Sequence, residues 1–224
     1  VYPSLPQRDR NYRLDASSLA YSTAEAILTM PGRGEISILN PSLLDNPWLL
    51  DDPSVKVQAD ISPNTRGLRV MLFVEYEVLG VNGWEVHRRE VPVSMVIVDR
   101  LMLQYAISFP EVVGRLSLFG VRAFELQSFG RFAYRRTLEM IWASSFYDLR
   151  FKNAIVYLVQ FDENLYKNYQ TANSYQDRYS IRLDERDFTN IRNGLGVFGG
   201  YTVDSLYYEL RPGMRPVGDP NPFY

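Results

Sequence analysis

The sequence predicts an all-β protein: an immunoglobulin-like β-sandwich with a short C-terminal helix. Three observations carry that expectation. Apolar and polar residues alternate with period two in the middle of the chain, most cleanly in Val55-Lys56-Val57-Gln58-Ala59-Asp60-Ile61. Turn signals separate the runs at short spacing, led by Asn82-Gly83. Near the C-terminus, Gly194, Gly196, Gly199 and Gly200 stand among apolar residues, which suits a tight turn leading into a strand. The chain has 224 residues, 46% of them hydrophobic and 14% aromatic, enough for one large β domain or two small ones.

Taken in order, residues 1–20 are polar and irregular and read as an N-terminal arm, held only if a partner or a sheet edge holds it. Residues 21–29 suit a first strand, ending before Pro31-Gly32. Three prolines, two Leu-Leu pairs and Trp48 fall within 40–53. They indicate a long loop, or a short helical turn beginning after Pro41, with Trp48 as a lid on the core. Strands follow at 55–61 and 68–79, then at 84–91 after the Asn82-Gly83 turn, with Pro92 marking an edge or a strand end. Residues 93–98 and 101–109 continue the pattern. Residues 116–127 and 132–142 are expected to pair as strands across Ser128-Phe129-Gly130-Arg131.

The run 153–161 reads as a strongly apolar strand. Asp162 then suits a helix N-cap, with Leu165, Tyr166 and Tyr169 at helical spacing behind it. Residues 171–190 form a polar excursion, and 195–210 hold one or two closing strands. Four prolines mark 211–224 as an extended tail. The expected organisation is an arm at 1–20, a β-rich domain at 21–210 and a proline-rich tail at 211–224. A sub-boundary within the domain would fall near 109–114.

Composition narrows the function. Lys and Arg number 24 against 26 Asp and Glu, a formal net charge of -2, which disfavours nucleic acid as a partner. Only Lys56, Lys152 and Lys167 are lysines; the other basic residues are arginines, with their rigid donor fork. The absence of cysteine excludes thiol catalysis, disulfides and thiolate metal sites. No stretch reaches the roughly 18 apolar residues of a membrane-spanning helix. The chain opens at Val1 rather than Met, which reads as a mature or trimmed product.

Residue chemistry points away from catalysis. His87 is the only histidine and lies in an expected strand, so it reads as an ordinary edge residue. Asp184-Glu185-Arg186-Asp187, and Asp45 with Asp51 and Asp52, lack the dense spacing of a calcium loop and read as solvated loop charge. A hydrolase would need two carboxylates at a set separation in space, which a sequence does not fix. Gly194, Gly196 and Gly199 match the Gly-x-Gly-x-x-Gly string of dinucleotide sites, but Val197, Phe198, Tyr201 and Val203 favour a strand where a helix would have to start. Together with Gly200, they are read as a structural turn followed by a core strand. No catalytic, cofactor-binding or metal-binding residue is assigned. Of the 16 tyrosines, Tyr166, Tyr175 and Tyr179 are the candidate contact surface, since tyrosine offers apolar area and a hydroxyl at low entropic cost.

Three stretches carry a resemblance: Val156-Tyr157-Leu158, Glu163-Asn164-Leu165-Tyr166-Lys167-Asn168-Tyr169-Gln170, and the run from Phe188 through Thr189-Asn190-Ile191-Arg192-Asn193-Gly194 to Tyr201. This C-terminal region resembles the signature of a Bacteroidota family of outer-membrane lipoproteins of unknown function, often encoded beside TonB-dependent receptors. The resemblance implies a lipidated cysteine ahead of Val1, attachment to the outer membrane in the cell envelope, and no catalytic residues to carry over. The expected function is therefore a non-enzymatic cell-envelope accessory protein that binds a partner protein or ligand, with an outer-membrane receptor as candidate partner. The alternatives are a carbohydrate-binding module, with a glycan as ligand, and a carboxylate-based hydrolase.

Overall fold

The computed structural model describes residues 6–18, 21–48, 51–99, 104–114, 123–144, 148–174, 188–212 and 214. Among them, three helices are interspersed with four sheets. The fold is therefore mixed α/β, which corrects the expectation of an all-β immunoglobulin-like sandwich with one C-terminal helix.

The chain begins with an antiparallel pair, β1 (Asn11–Ser18) and β2 (Tyr21–Thr29). β3 (Glu35–Ile38), helix α1 (Ser42–Asp45) and β4 (Ser54–Ile61) follow. β5 (Gly67–Gly80) and β6 (Gly83–Val91) form a hairpin, with Gly83 at φ 116°, a left-handed conformation that glycine adopts without a Cβ clash. β7 (Ser94–Asp99) pairs with β8 (Gln104–Ser108), and the short β9 (Val113–Gly114) returns to the start of β5. β10 (Ala123–Gly130) runs into α2 (Arg131–Ser144). β11 (Leu149–Phe161), α3 (Glu163–Ser174) and β12 (Tyr201–Glu209) complete the described chain.

The largest sheet has the order β12-β11-β5-β6, with β9 joined to β5; a three-stranded sheet has the order β10-β4-β3. Their apolar faces share one core with α2. β4 contributes Val55, Val57, Ala59 and Ile61 on alternate positions, β5 contributes Leu68, Val70, Leu72 and Val74, and β11 contributes Ala154, Val156 and Leu158. Trp48 is partly buried against this core, as a lid would be.

The main departure is residues 132–142, expected as a strand and found within α2. Phe132, Tyr134, Thr137, Ile141 and Trp142 give the segment strand-like composition. Its buried positions are Ala133, Tyr134, Thr137, Leu138 and Ile141, one stripe of a helix. Gly130 is no hairpin turn but the last residue of β10, which pairs with β4. The amides at that junction donate to Val93 O and Pro53 O at 2.8 Å each.

Segment 190–200 also differs from expectation. It is not a core strand; the strand begins at Tyr201. Its backbone makes an isolated bridge, Arg192 with Glu25 of β2, and side chains satisfy other backbone groups. Asn190 donates to Phe198 O and accepts from Phe198 N, both at 2.8 Å, and Thr189 Oγ1 donates to Gly196 O at 2.9 Å.

A buried amide locks the sheets together. Gln160 Oε1 accepts from Ser62 N and Thr65 Oγ1 at 2.8 Å each, and Nε2 donates to Gly32 O at 3.2 Å and Asp204 Oδ2 at 3.3 Å. A fully buried amide with donors and acceptor all satisfied carries no desolvation penalty of an orphaned group.

Candidate functional site

The five-stranded sheet has one face on the core and one facing away from it. Residues opposite in register share a face. Tyr201, Phe161 and Gly67 form one outer row; Val203, Val159 and Arg69 form the next. Ser205, Tyr157 and Met71 come third, then Tyr207, Ile155, Phe73 and Glu90, then Glu209, Asn153, Glu75 and Arg88. This alternation puts tyrosines of β12 and β11 beside charges of β5 and β6.

Ion pairs and hydrogen bonds fix the charged half of the face. Arg88 Nε meets Glu75 Oε2 at 2.8 Å, Asn153 Nδ2 donates to Glu75 Oε1 at 2.7 Å, and Arg88 Nη1 donates to the Tyr157 hydroxyl at 3.1 Å. Arg69 pairs with Glu90 at 3.2 Å and Lys152 with Glu77 at 3.8 Å. Burial pushes the Glu75 carboxyl up, but the donors of Asn153 and Arg88 and the nearby positive charges outweigh it, so the group is held below the usual carboxylate range. Burial, and then a hydrogen bond with Tyr207, pushes the Tyr157 phenol up. Phe73 meets Tyr157 edge-to-face, with centroids 5.5 Å apart.

The flanks of the face are exposed. On β12, Tyr201, Val203 and Tyr207 point outward, Tyr207 at 52% exposure; on β6, Val86 is 61% exposed. At one end of the sheet lies a cleft of about 720 Å³, walled by Trp84, Trp142, Arg150, Lys152, Asn153 and Leu210 among others. The Arg150 guanidinium lies 3.9 Å from the centre of the Trp84 ring, a cation–π contact. A register shift between Phe151 and Asn153 sets Lys152 in a bulge at the mouth of this cleft.

The residues singled out in the sequence fall elsewhere. The Tyr166 ring packs on Gly67 and Gly114 so closely that a Cβ at either would overlap it, and its hydroxyl accepts from Gln170 at 2.9 Å. It is a half-buried packing residue. Tyr175, Tyr179 and the acidic group at 184–187 lie outside the described residues. His87 is on the edge strand β6, stacked on Tyr76 with centroids 5.6 Å apart and with Nε2 3.8 Å from Glu85.

Asp45 is not solvated loop charge. It is buried, accepts from Tyr208 OH at 2.8 Å and Arg211 N at 2.9 Å, and so pins the end of β12 to α1. Asp52 accepts from Asn40 at 2.7 Å and from Ser54 N at 3.3 Å, and the Asn40 hydrogen bond holds its carboxyl below the usual range. Among the described residues, no group of three or more His, Asp or Glu side chains is placed to hold a metal ion.

The four glycines lie in the loop that leads into β12. Gly194 closes a turn on Ile191 O at 3.3 Å, and Gly196 takes φ 112°. A Cβ on Gly199 would meet the Leu165 backbone of α3 at 2.9 Å, and Gly200 N donates to Asp162 Oδ1 at 3.1 Å. The same Asp162 oxygen accepts from Leu165 N at 2.8 Å, capping α3 as its sequence position indicates. Burial pushes the Asp162 carboxyl above the usual range despite these donors.

The outer-face residues Tyr157, Tyr207, Arg88, Trp84 and Arg150 were not singled out as a site by sequence. The available signal was the two-sided alternation Tyr201-Thr202-Val203-Asp204-Ser205-Leu206-Tyr207-Tyr208, in which odd positions face outward. No helix among the described residues is long and apolar enough to cross a membrane. No protein-family model and no curated protein matches the chain.

Proposed function

We propose that this is a non-enzymatic binding protein of the cell envelope, and that the outer face of its five-stranded sheet is the contact surface for a partner protein. The observation that carries the reading is the outward row Tyr201, Val203 and Tyr207 on β12, exposed beside a charge network that holds its neighbours in place. Protein contact surfaces favour tyrosine and arginine over lysine, and anchors whose geometry is already set lose less entropy on binding. The envelope setting, and an outer-membrane receptor as the partner, rest on the resemblance carried by residues 156–158, 163–170 and 188–201. The hydrolase alternative loses support on this face: Glu75, Glu77 and Glu90 are each tied to a basic side chain, and Glu75, held below the usual carboxylate range, is a poor general acid.

The test is retention of envelope proteins on the immobilised chain. Tyr207→Ala and Val203→Asp should abolish retention of a discrete protein that the parent holds. Leu126→Asp, at an exposed apolar residue on β10 in another sheet, should not. Equal retention by all variants, or no retained protein, overturns the reading.

A further inference from the structure

We infer that the cleft at the end of the large sheet is a small-ligand site, for a sugar that carries a single carboxylate. Its volume of about 720 Å³ lies within the range of small-molecule sites and accommodates two sugar rings. Two indoles, Trp84 and Trp142, supply flat apolar wall, and Leu210, Pro212 and Met214 extend it. Arg150 provides the recognition element. Its guanidinium is stacked on Trp84 at 3.9 Å, which fixes the plane of the donor fork. Among the described residues it has no ion-pair partner, whereas Lys152 is engaged by Glu77 and Asn153 by Glu75. A planar, oriented and unpaired guanidinium suits two parallel hydrogen bonds to one carboxylate.

The remaining lining selects the rest of the ligand. Asp148 and Glu209 also face the cleft. Their negative charge disfavours ligands with more than one anionic group, while their oxygens accept from hydroxyl groups. One carboxylate among several hydroxyls on an apolar ring answers all of these features. The cleft adjoins the outer face and shares Trp84, Arg150, Asn153 and Glu209 with it, but the partner-surface anchors Tyr201, Val203 and Tyr207 are not among its walls.

Titration of the whole protein with a disaccharide containing one glucuronic acid, followed by tryptophan fluorescence and calorimetry, tests the inference. Its methyl ester and the neutral glucose disaccharide serve as arms. The acid should bind saturably and perturb the indole signal, and ester and neutral sugar should bind at least about tenfold more weakly, the cost of losing a charge-assisted pair. Arg150→Ala should lose about tenfold or more for the acid alone, Arg150→Lys should recover part of it, and Leu126→Asp, on another sheet, should bind as the parent does. Circular dichroism and melting establish that each variant folds. Equal binding of acid and ester, no saturable binding, or an Arg150→Ala variant that folds and binds like the parent overturns the inference.

Discussion

Arg88 on β6 reaches across β5 and donates to the phenol of Tyr157 on β11 at 3.1 Å, while its Nε holds Glu75 at 2.8 Å. One side chain thus ties three adjacent strands together on the face turned away from the core. The contact joins the charged half of that face to its aromatic half, so substitutions in the one are felt in the other.

Glu75 is the acceptor at the centre of this network. Glu75→Ala leaves the Arg88 and Asn153 donors without their acceptor and should cost about 1–3 kcal/mol at neutral pH, by urea denaturation. Its carboxyl is depressed in the folded state, so its contribution is present above the unfolded carboxylate value of about 4.3 and is lost as pH falls through the lower folded value. The parent should therefore lose its advantage over Glu75→Gln as the solution is acidified below about pH 4. A difference between them that stays constant from pH 7 to pH 3 would contradict this.

Asp162 behaves with the opposite sign. Burial raises its carboxyl in the folded state, so between the unfolded and folded values the native protein binds the extra proton and is stabilised as pH falls. Asp162→Asn keeps an oxygen for Leu165 N and Gly200 N and should remove that pH dependence. Asp162→Ala loses the cap, at a cost of about 1–2 kcal/mol. Melting curves of the three proteins from pH 4 to pH 8 distinguish these outcomes.

Gly196 sits at φ 112°, where a Cβ is strained. Gly196→Ala should destabilise the protein by about 1 kcal/mol or more. Leu195 next to it is 91% exposed, so Leu195→Ser should leave the melting temperature nearly unchanged. Adding nicotinamide or flavin nucleotides should shift neither variant nor parent, and a saturable shift would contradict the reading of these glycines as a structural turn.

His87 lies on an exposed edge strand against Tyr76. His87→Ala should leave partner retention within about threefold of the parent, because its ring stacks on Tyr76 and it lies outside the row of Tyr201, Val203 and Tyr207. A loss of about a hundredfold would give it a role in the site.

The strands of the large sheet were legible because their period is short and their ends are punctuated. Asn82-Gly83 marks the β5–β6 turn, Pro92 follows the last residue of β6, and Asp162 caps α3. Helix α2 was not legible because its aromatic and β-branched residues imitate a strand, while its burial stripe emerges only where β4, β6 and β7 pack against it. The tyrosines of 166–179 drew attention by crowding in sequence, yet Tyr166 is spent on packing against Gly67 and Gly114. The outer-face site joins residues from four strands, Arg88, Glu75, Tyr157 and Tyr207, and only pairing register brings them together.

The most direct test of the partner surface is photo-crosslinking within the native envelope fraction, with a benzophenone amino acid placed at Tyr207 and, separately, at Leu126. The outer-face account predicts a discrete protein adduct from position 207 and none from position 126. An adduct formed equally from both positions, or from 126 alone, would contradict it.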